Sequence, residues 1–326
     1  MSSCQMKIFS GTANRPLFEK ICEYLDQPMG QMTVEKFPDG ESFCRIEEDV
    51  RGKDVYIVQP TCPPVNESLM QLLVMIDAAR RASAAHINAV VPYFGYARQD
   101  RKDEGRTPIT AKLAANLLEC AGATRVIALD LHSAQIQGFF DVPLDHLSAS
   151  PVLDEYINSL GYDPSEVVVV SPDAGSIKRA TKHVAALGGN LAIIDKRRKS
   201  GDEVEQAHLI GGPIEGRVCF LFDDMISTAG SICGAAKVVK DMGAKKVYVA
   251  ATHGVLRGPA IGRLQDAPIE EVVLSDTIPL SPTQRIPKIK SLTCAPIIAE
   301  AIKRIHNNES VSDMFKTLNF TSGQYF

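Results

Sequence analysis

Short, continuous apolar runs recur along the chain, separated by longer stretches with helical spacing. The clearest runs are Val55–Gln59, Asn88–Tyr93, Val126–Leu131, Val167–Val170, Leu191–Ile194, Val218–Phe222, Val247–Thr252 and Val272–Ser275. Apolar runs without polar alternation mark strands buried on both faces, as in parallel sheets. Helical spacing covers Ser68–Ser83, Thr110–Cys120 and Ser231–Met242. Gly243 follows the last of these, suited to the left-handed residue past a helix end, and Lys245 and Lys246 then lie near the negative end of the dipole. The alternation predicts an α/β fold of mainly parallel sheets flanked by helices, with right-handed crossovers. The rhythm breaks at Ser148-Ala149-Ser150-Pro151, a helix from about Val152 and a Gly161-Tyr162-Asp163-Pro164 turn. A boundary near residue 150 divides the chain into an N-terminal domain, 1–150, and a C-terminal domain, 151–326, of similar rhythm.

A chain of 326 residues suits two domains better than one. Apolar residues at 45% allow a full core, and a net charge of −4 argues against broad binding of nucleic acid or anionic membrane. No apolar run approaches the ~20 residues that span a bilayer, and Met1–Phe9 lacks the form of a secretory signal. Eight cysteines show no Cys-x-x-Cys and no zinc-like spacing, which predicts reduced thiols in a cytoplasm.

In open α/β sheets ligands bind beyond the carboxyl ends of the strands. Six such ends here carry polar groups: Asp130-Leu131-His132, Ser171-Pro172-Asp173, Asp195-Lys196-Arg197-Arg198, Asp223-Asp224, Thr252-His253-Gly254 and Ser275-Asp276. The sharpest is Val218–Phe222 followed by Asp223-Asp224-Met225-Ile226-Ser227-Thr228-Ala229-Gly230-Ser231 and then a helix. Small residues let the backbone approach a phosphate, which the helix-start N–H groups and hydroxyls can bind. Ionised Asp side chains suit a pair of vicinal hydroxyls, since they only accept. A plain strand–turn–helix with an Asp or Ser cap would leave the paired acids unexplained. The chain contains neither a Walker A sequence nor a Gly-x-Gly.

This segment resembles the phosphoribosyl pyrophosphate loop of type I phosphoribosyltransferases and, more closely, that of class I ribose-phosphate pyrophosphokinases. The second family is also matched by Phe37-Pro38-Asp39-Gly40-Glu41, by Pro92–Lys102, by Asp130–His132 running on to Gln135–Phe140, by Ser171–Gly175, by Asp195–Arg198 and by Glu309–Ser312. The resemblance implies two phosphoribosyltransferase-like domains, with the C-terminal tail packing back on the first. It implies transfer of the diphosphoryl group of ATP to ribose 5-phosphate for nucleotide, histidine and tryptophan biosynthesis, with Mg²⁺ as cofactor, no nucleic-acid or membrane partner, and a homohexameric assembly.

The resemblance also implies roles for particular residues. Lys196 and Arg198 are the catalytic pair, closing over the transferring group. Arg198, Asp223, Asp224, Ser227, Thr228, Ala229, Gly230 and Ser231 hold ribose 5-phosphate. Phe37, Asp39, Gly40, Glu41, Arg98 and Gln99 take ATP, the Phe37 loop being supplied by a neighbouring subunit. His132 and Asp173 are placed at the metal, with Asp130, Asp141 and Asp145 in second rank. Arg51, Ser310, Val311, Ser312 and Phe315 resemble the family's allosteric ADP and phosphate site. One departure stands out: Ser227 occupies a position where many members carry Asp. The bland alternative for Arg98 is a surface ion pair with Asp100 and Asp103, while His86, His146, His183, His208 and His306 read as structural.

Overall fold

The computed structural model describes residues 5–172, 174–197 and 206–314, which fall into two compact units. The first holds 5–149, 277–279 and 293–314; the second holds the described residues of 150–276 together with 280–292.

The first unit opens with β1 (Met6–Ser10) and α1 (Arg15–Leu25), then the hairpin β2 (Met32–Lys36) and β3 (Ser42–Ile46). It continues through β4 (Asp54–Val58), α2 (Val65–Arg81), β5 (His86–Val91), α3 (Thr110–Ala121), β6 (Arg125–Leu129) and β7 (Leu144–Leu147). Five of these strands form one parallel sheet in the order β1-β4-β5-β6-β7, and the hairpin is a separate antiparallel pair. Val55, Ile57, Ile87, Ala89, Val91, Val126 and Ala128 form one core with Leu72, Met75, Ile76 and Leu118 from α2 and α3. This is the burial that continuous apolar runs require.

The second unit begins with α4 (Ser150–Ser159), β8 (Val167–Ser171), α5 (Ile177–Leu187), β9 (Asn190–Arg197) and β10 (Gln206–Gly211). Then come β11 (Val218–Ile226), α6 (Gly230–Asp241), β12 (Lys246–Gly254), α7 (Ala260–Asp266), β13 (Glu271–Ser275) and β14 (Ile289–Leu292). Its sheet runs β10-β9-β8-β11-β12-β13-β14, parallel throughout except that β10 is antiparallel to β9. All eight runs read as buried strands are strands, and Gly243 takes φ 88° after α6. The elements not anticipated include the edge strands β10 and β14, whose Gln206, His208, Lys290 and Ser291 break the apolar pattern.

The last helix, α8 (Ala295–His306), returns to the first unit and packs on α1. Ile297, Ile298, Ala301 and Ile302 are wholly buried on it. At its end His306 Nδ1 lies 2.8 Å from Asp54 Oδ2, while His86 Nδ1 lies 2.6 Å from Oδ1 of the same carboxylate. One buried acid at the start of β4 thereby ties β5 and α8 together. We expect Ile298→Ala to lower stability by about 2–4 kcal/mol through lost burial and the cavity left behind. Urea denaturation measures this, and a change under about 0.5 kcal/mol would mean that α8 contributes little to the core.

Candidate functional site

β11 does not stop at Phe222, where the apolar run ends. It stays paired with β12 to Ile226 opposite Gly254, so both acids lie within the strand. Successive side chains of a strand take opposite faces, and here Asp223 is half-buried while Asp224 is 5% exposed. One guanidinium serves both: Arg179 Nη1 donates to Asp223 at 3.0 Å and Nη2 approaches Asp224 at 3.2 Å. Arg179 stands on α5, which packs on β8 and β11. The backbone N–H of Asp224 also donates to Asp223 Oδ1 at 2.9 Å. Two negative groups thus share one positive group, with Asp224 shielded from water and Asp223 and Arg179 partly so. Burial, and then the Asp224 carboxyl, push the Asp223 carboxyl up to about 7, against the opposing pull of Arg179. Behind the pair, the ring of buried His183 stacks on Phe222 at 3.5 Å, and its Nδ1 lies 2.6 Å from Asp154. Burial raises the Asp154 carboxyl, and the bond to His183 opposes that rise.

The loop after β11 is small and partly open: Thr228, Gly230 and Ser231 are exposed and Ser227 is half-buried. Ala229 adopts φ 60°, ψ 5°, a left-handed conformation that costs a residue with a Cβ about 1–2 kcal/mol. Its methyl is buried in the core beside Ile226 and Ile232, which offsets that strain. The Ala229 carbonyl accepts the first helical bond of α6, from Cys233 at 3.0 Å. The N–H groups ahead of it have no acceptor within the helix and no side-chain cap. Backbone donors beside two carboxylates form an apparatus for a phosphorylated polyol, with donors for the anion and acceptors for its hydroxyls.

In the first unit, the segment after β5 is held by Thr61. The Gly95 N–H donates to Thr61 Oγ1 at 2.6 Å, and a Cβ at Gly95 would lie 2.6 Å from the Thr61 carbonyl, so only glycine fits. Arg98 and Gln99 follow, both exposed. Gln99 is tied to the start of α3, its carbonyl accepting from Ala111 N–H at 3.1 Å and its Oε1 from Thr110 at 2.5 Å. Asp103 pairs with Arg101 at 3.0 Å, not with Arg98, so the surface pairing read from the bare pattern is not formed. Beyond β6 the turn at Asp130 (φ 33°) is fixed by its own carboxylate. That carboxylate accepts from Ser148 Oγ and Ala149 N–H, both at 2.9 Å. His146 Nε2 accepts from Leu131 N–H at 2.9 Å and so braces the turn that carries exposed His132.

Of the second-rank carboxylates, Asp145 is committed to Arg125 at 2.5 Å, and the Asp141 N–H donates to Glu119 at 2.6 Å. Among the described residues no three His, Cys, Asp or Glu side chains gather as a metal cage.

The hairpin tip closes through Phe37 N–H to Glu41 O at 2.9 Å, with Asp39 Oδ1 accepting from Glu41 N–H at 3.2 Å and Gly40 at φ 97°. Phe37 packs edge-on to Phe43 at 5.6 Å and is still 49% exposed. Arg51 donates to Ser83 Oγ at 3.1 Å. The Ser310 carbonyl accepts from Arg304 at 3.1 Å, and Val311 and Ser312 follow it, with Val311 O accepting from Met314 N–H at 3.2 Å. Lys196 enters through its backbone in β9, in register with Ala207 of β10. Asp173, Arg198 and Phe315 lie outside the described residues. The second unit therefore gathers the ends of β8, β9 and β11 on one edge of its sheet, and the first unit those of β5 and β6. Arg179 was missed in the sequence; its one signal is a basic residue in the first turn of the helix after Ser171-Pro172.

The family model described as the N-terminal domain of ribose phosphate pyrophosphokinase matches residues 6–122. The phosphoribosyl synthetase-associated domain matches 207–316. A ribose-phosphate pyrophosphokinase of Rhodopirellula baltica is 60% identical over 312 residues, covering 96% of this chain and 99% of its own. Ribose-phosphate pyrophosphokinase 2 of Enterococcus faecalis is 51% identical and covers 97% of each. A crystal structure of phosphoribosylpyrophosphate synthetase from Mycobacterium smegmatis superposes with a TM-score of 0.88 at 41% identity, over 93% of this chain and 99% of that one.

The carboxyl pair carries a pH signature. A folded value of about 7 for Asp223, against about 3.9 in an unfolded chain, means the folded form holds the proton more tightly. That contribution to stability is full below pH ~4 and is lost as pH rises through ~7. Asp223→Asn leaves Arg179 to Asp224 and removes the buried charge. Its melting temperature should exceed the parent's by about 2–4 °C at pH 8. The gap should narrow as pH falls below ~7 and close near pH ~4, and a gap independent of pH would refute the shared burial of the two acids.

Proposed function

Because this chain belongs to the ribose-phosphate pyrophosphokinase family, we propose that it transfers the β,γ-diphosphoryl group of ATP to the C1 hydroxyl of ribose 5-phosphate. The C1 oxygen attacks the β-phosphorus, the bond from β-phosphorus to the α,β-bridging oxygen breaks, and AMP leaves. The products are 5-phosphoribosyl 1-pyrophosphate and AMP. We place this activity in the cytoplasm, supplying nucleotide, histidine and tryptophan biosynthesis. No helix among the described residues is long and apolar enough to cross a membrane, and their seven cysteines are free thiols.

The observation that carries the reading is the pairing of Asp223 and Asp224 with an anion-ready loop at one strand end. Asp223 and Asp224 accept from the ribose hydroxyls, Arg179 holds them in place, and Ser227, Thr228, Ala229, Gly230 and Ser231 take the 5-phosphate. Ser227 supplies a hydroxyl where many members place a carboxylate, which lowers the local negative charge. Arg98 suits the nucleotide phosphates, since its guanidinium is exposed and forms no ion pair among the described residues. Gln99 orients that segment through α3. The exposed Phe37 ring fits adenine stacking, with Asp39 and Glu41 accepting from the exocyclic amine and Gly40 shaping the turn. That tip serves a neighbouring subunit, so activity needs a homo-oligomer, a hexamer in our reading. Lys196 and Arg198 close over the transferring group and stabilise its charge.

Mg²⁺ neutralises the phosphate charge when bound. His132 and Asp173 are the residues we assign to it, His132 acting through water because imidazole suits this hard ion poorly. Asp130, whose carboxylate also fixes the turn, is the second-rank candidate. Arg51, Ser310, Val311, Ser312 and Phe315 are assigned to a regulatory ADP or phosphate site.

Purified chain given ATP, ribose 5-phosphate and Mg²⁺ should release AMP; turnover of a nucleobase with phosphoribosyl pyrophosphate, and no AMP, would favour a phosphoribosyltransferase instead. Lys196→Ala should lower kcat by about 10²–10³ with little change in substrate binding. Survival of turnover within a factor of a few would strip Lys196 of that role.

A further inference from the structure

Three consecutive carbonyls on the back of the loop after β11 are each taken by one donor from the segment following β12. Leu256 N–H donates to Ile226 O at 3.0 Å and Arg257 N–H to Ser227 O at 2.9 Å. Arg263 Nη1, from α7, donates to Thr228 O at 3.0 Å. The first two are main-chain bonds that nearly any side chain would preserve. The third depends on a single side chain and bears on the peptide that matters most.

The Thr228 carbonyl and the Ala229 N–H belong to one rigid plane and point in opposite directions. Whichever edge of that plane is fixed decides the other. Ala229 is the left-handed residue at the head of α6, and a peptide entering such a residue can turn either its N–H or its carbonyl toward a ligand. A carbonyl facing a phosphate would repel it, whereas an N–H would bind it. Arg263 pins the carbonyl on the far side. Its guanidinium forms no ion pair among the described residues, so no acid draws it elsewhere. Gly230 leaves it room: a Cβ there would lie 3.1 Å from Arg263 Nη1.

We propose that Arg263 is a positioning residue for ribose 5-phosphate, holding the Thr228–Ala229 peptide with its N–H turned toward the 5-phosphate. This rests on the assignment of the loop above. It adds a residue outside the loop, on a helix that no motif marks.

The test compares Arg263→Met, which keeps length but loses the donor and charge, with Arg263→Lys, which keeps both. Ribose 5-phosphate affinity is read by calorimetry without ATP, beside KM for each substrate, kcat and melting temperature. The Met variant should bind ribose 5-phosphate about tenfold more weakly, the scale of a lost charge-assisted bond. Its KM for ATP and its kcat should stay within about twofold, and Lys should restore most of the affinity. The deficit should persist at about 0.5 M KCl, since a contact bond is screened far less than a distant charge. Unchanged ribose 5-phosphate affinity in the Met variant would overturn the proposal. So would a deficit that vanishes in high salt, or a uniform fall in every parameter with a lowered melting temperature and no rescue by Lys. Absence of AMP release by the parent chain would sink the assigned reaction, while the calorimetric comparison would still decide the role of Arg263.

Discussion

Asp223 and Asp224 lie within the last residues of central strand β11, one half-buried and one buried, and share one guanidinium, that of Arg179. Two acids against one base leave a surplus negative charge, which the pair relieves by holding a proton more tightly on Asp223. Solvation of that charge improves when hydroxyl groups arrive to donate to it. An unliganded protein that carries such a site gives up some stability to keep acceptors aimed at an absent partner, the usual relation between function and local instability. His183 stacks on Phe222 and is bonded to Asp154, which packs the strand against α5 and α4 beside the acids.

The loop beside the acids follows the same logic in backbone terms. Ala229 holds a strained conformation because its methyl is packed, and Cys233 and Arg263 tie the carbonyls on either side of it. The donors are arranged before any anion is present, so binding need not order the chain.

Much of this could be read from the residues alone. Unbroken runs such as Val218–Phe222 announce strands buried on both faces, and the change from apolar to Asp223-Asp224 marks where such a strand meets a ligand edge. Pro38-Asp39-Gly40, a turn-forming sequence, lies at the tip of the β2–β3 hairpin. What escaped has physical causes. β10 and β14 are edge strands with mixed polarity, so no period distinguishes them from loops. Arg179 and Arg263 lie on ordinary helix faces, and only the fold brings a guanidinium 44 positions away to Asp223 or one 35 positions away to Thr228. The bonds by which the Asp130 carboxylate fixes its own turn, from Ser148 and Ala149, come from residues 18 and 19 positions away, which spacing cannot reveal. The apolar stripe of α8 was present in Ile297, Ile298 and Ile302, whereas its attachment to the first unit depends on contacts more than 200 residues apart in sequence, as between His306 and Asp54.

That attachment changes what a cut in the chain would mean. Severing the polypeptide beside Ala149 looks like a clean separation at the seam, yet the amino-terminal piece would be released without α8, with the apolar surface of α1 uncovered and Asp54 deprived of one imidazole. The carboxy-terminal piece would in turn carry a greasy helix with no sheet of its own to lie on. The two units are interleaved along the chain, and neither can be inherited, expressed or replaced as a single uninterrupted stretch of sequence.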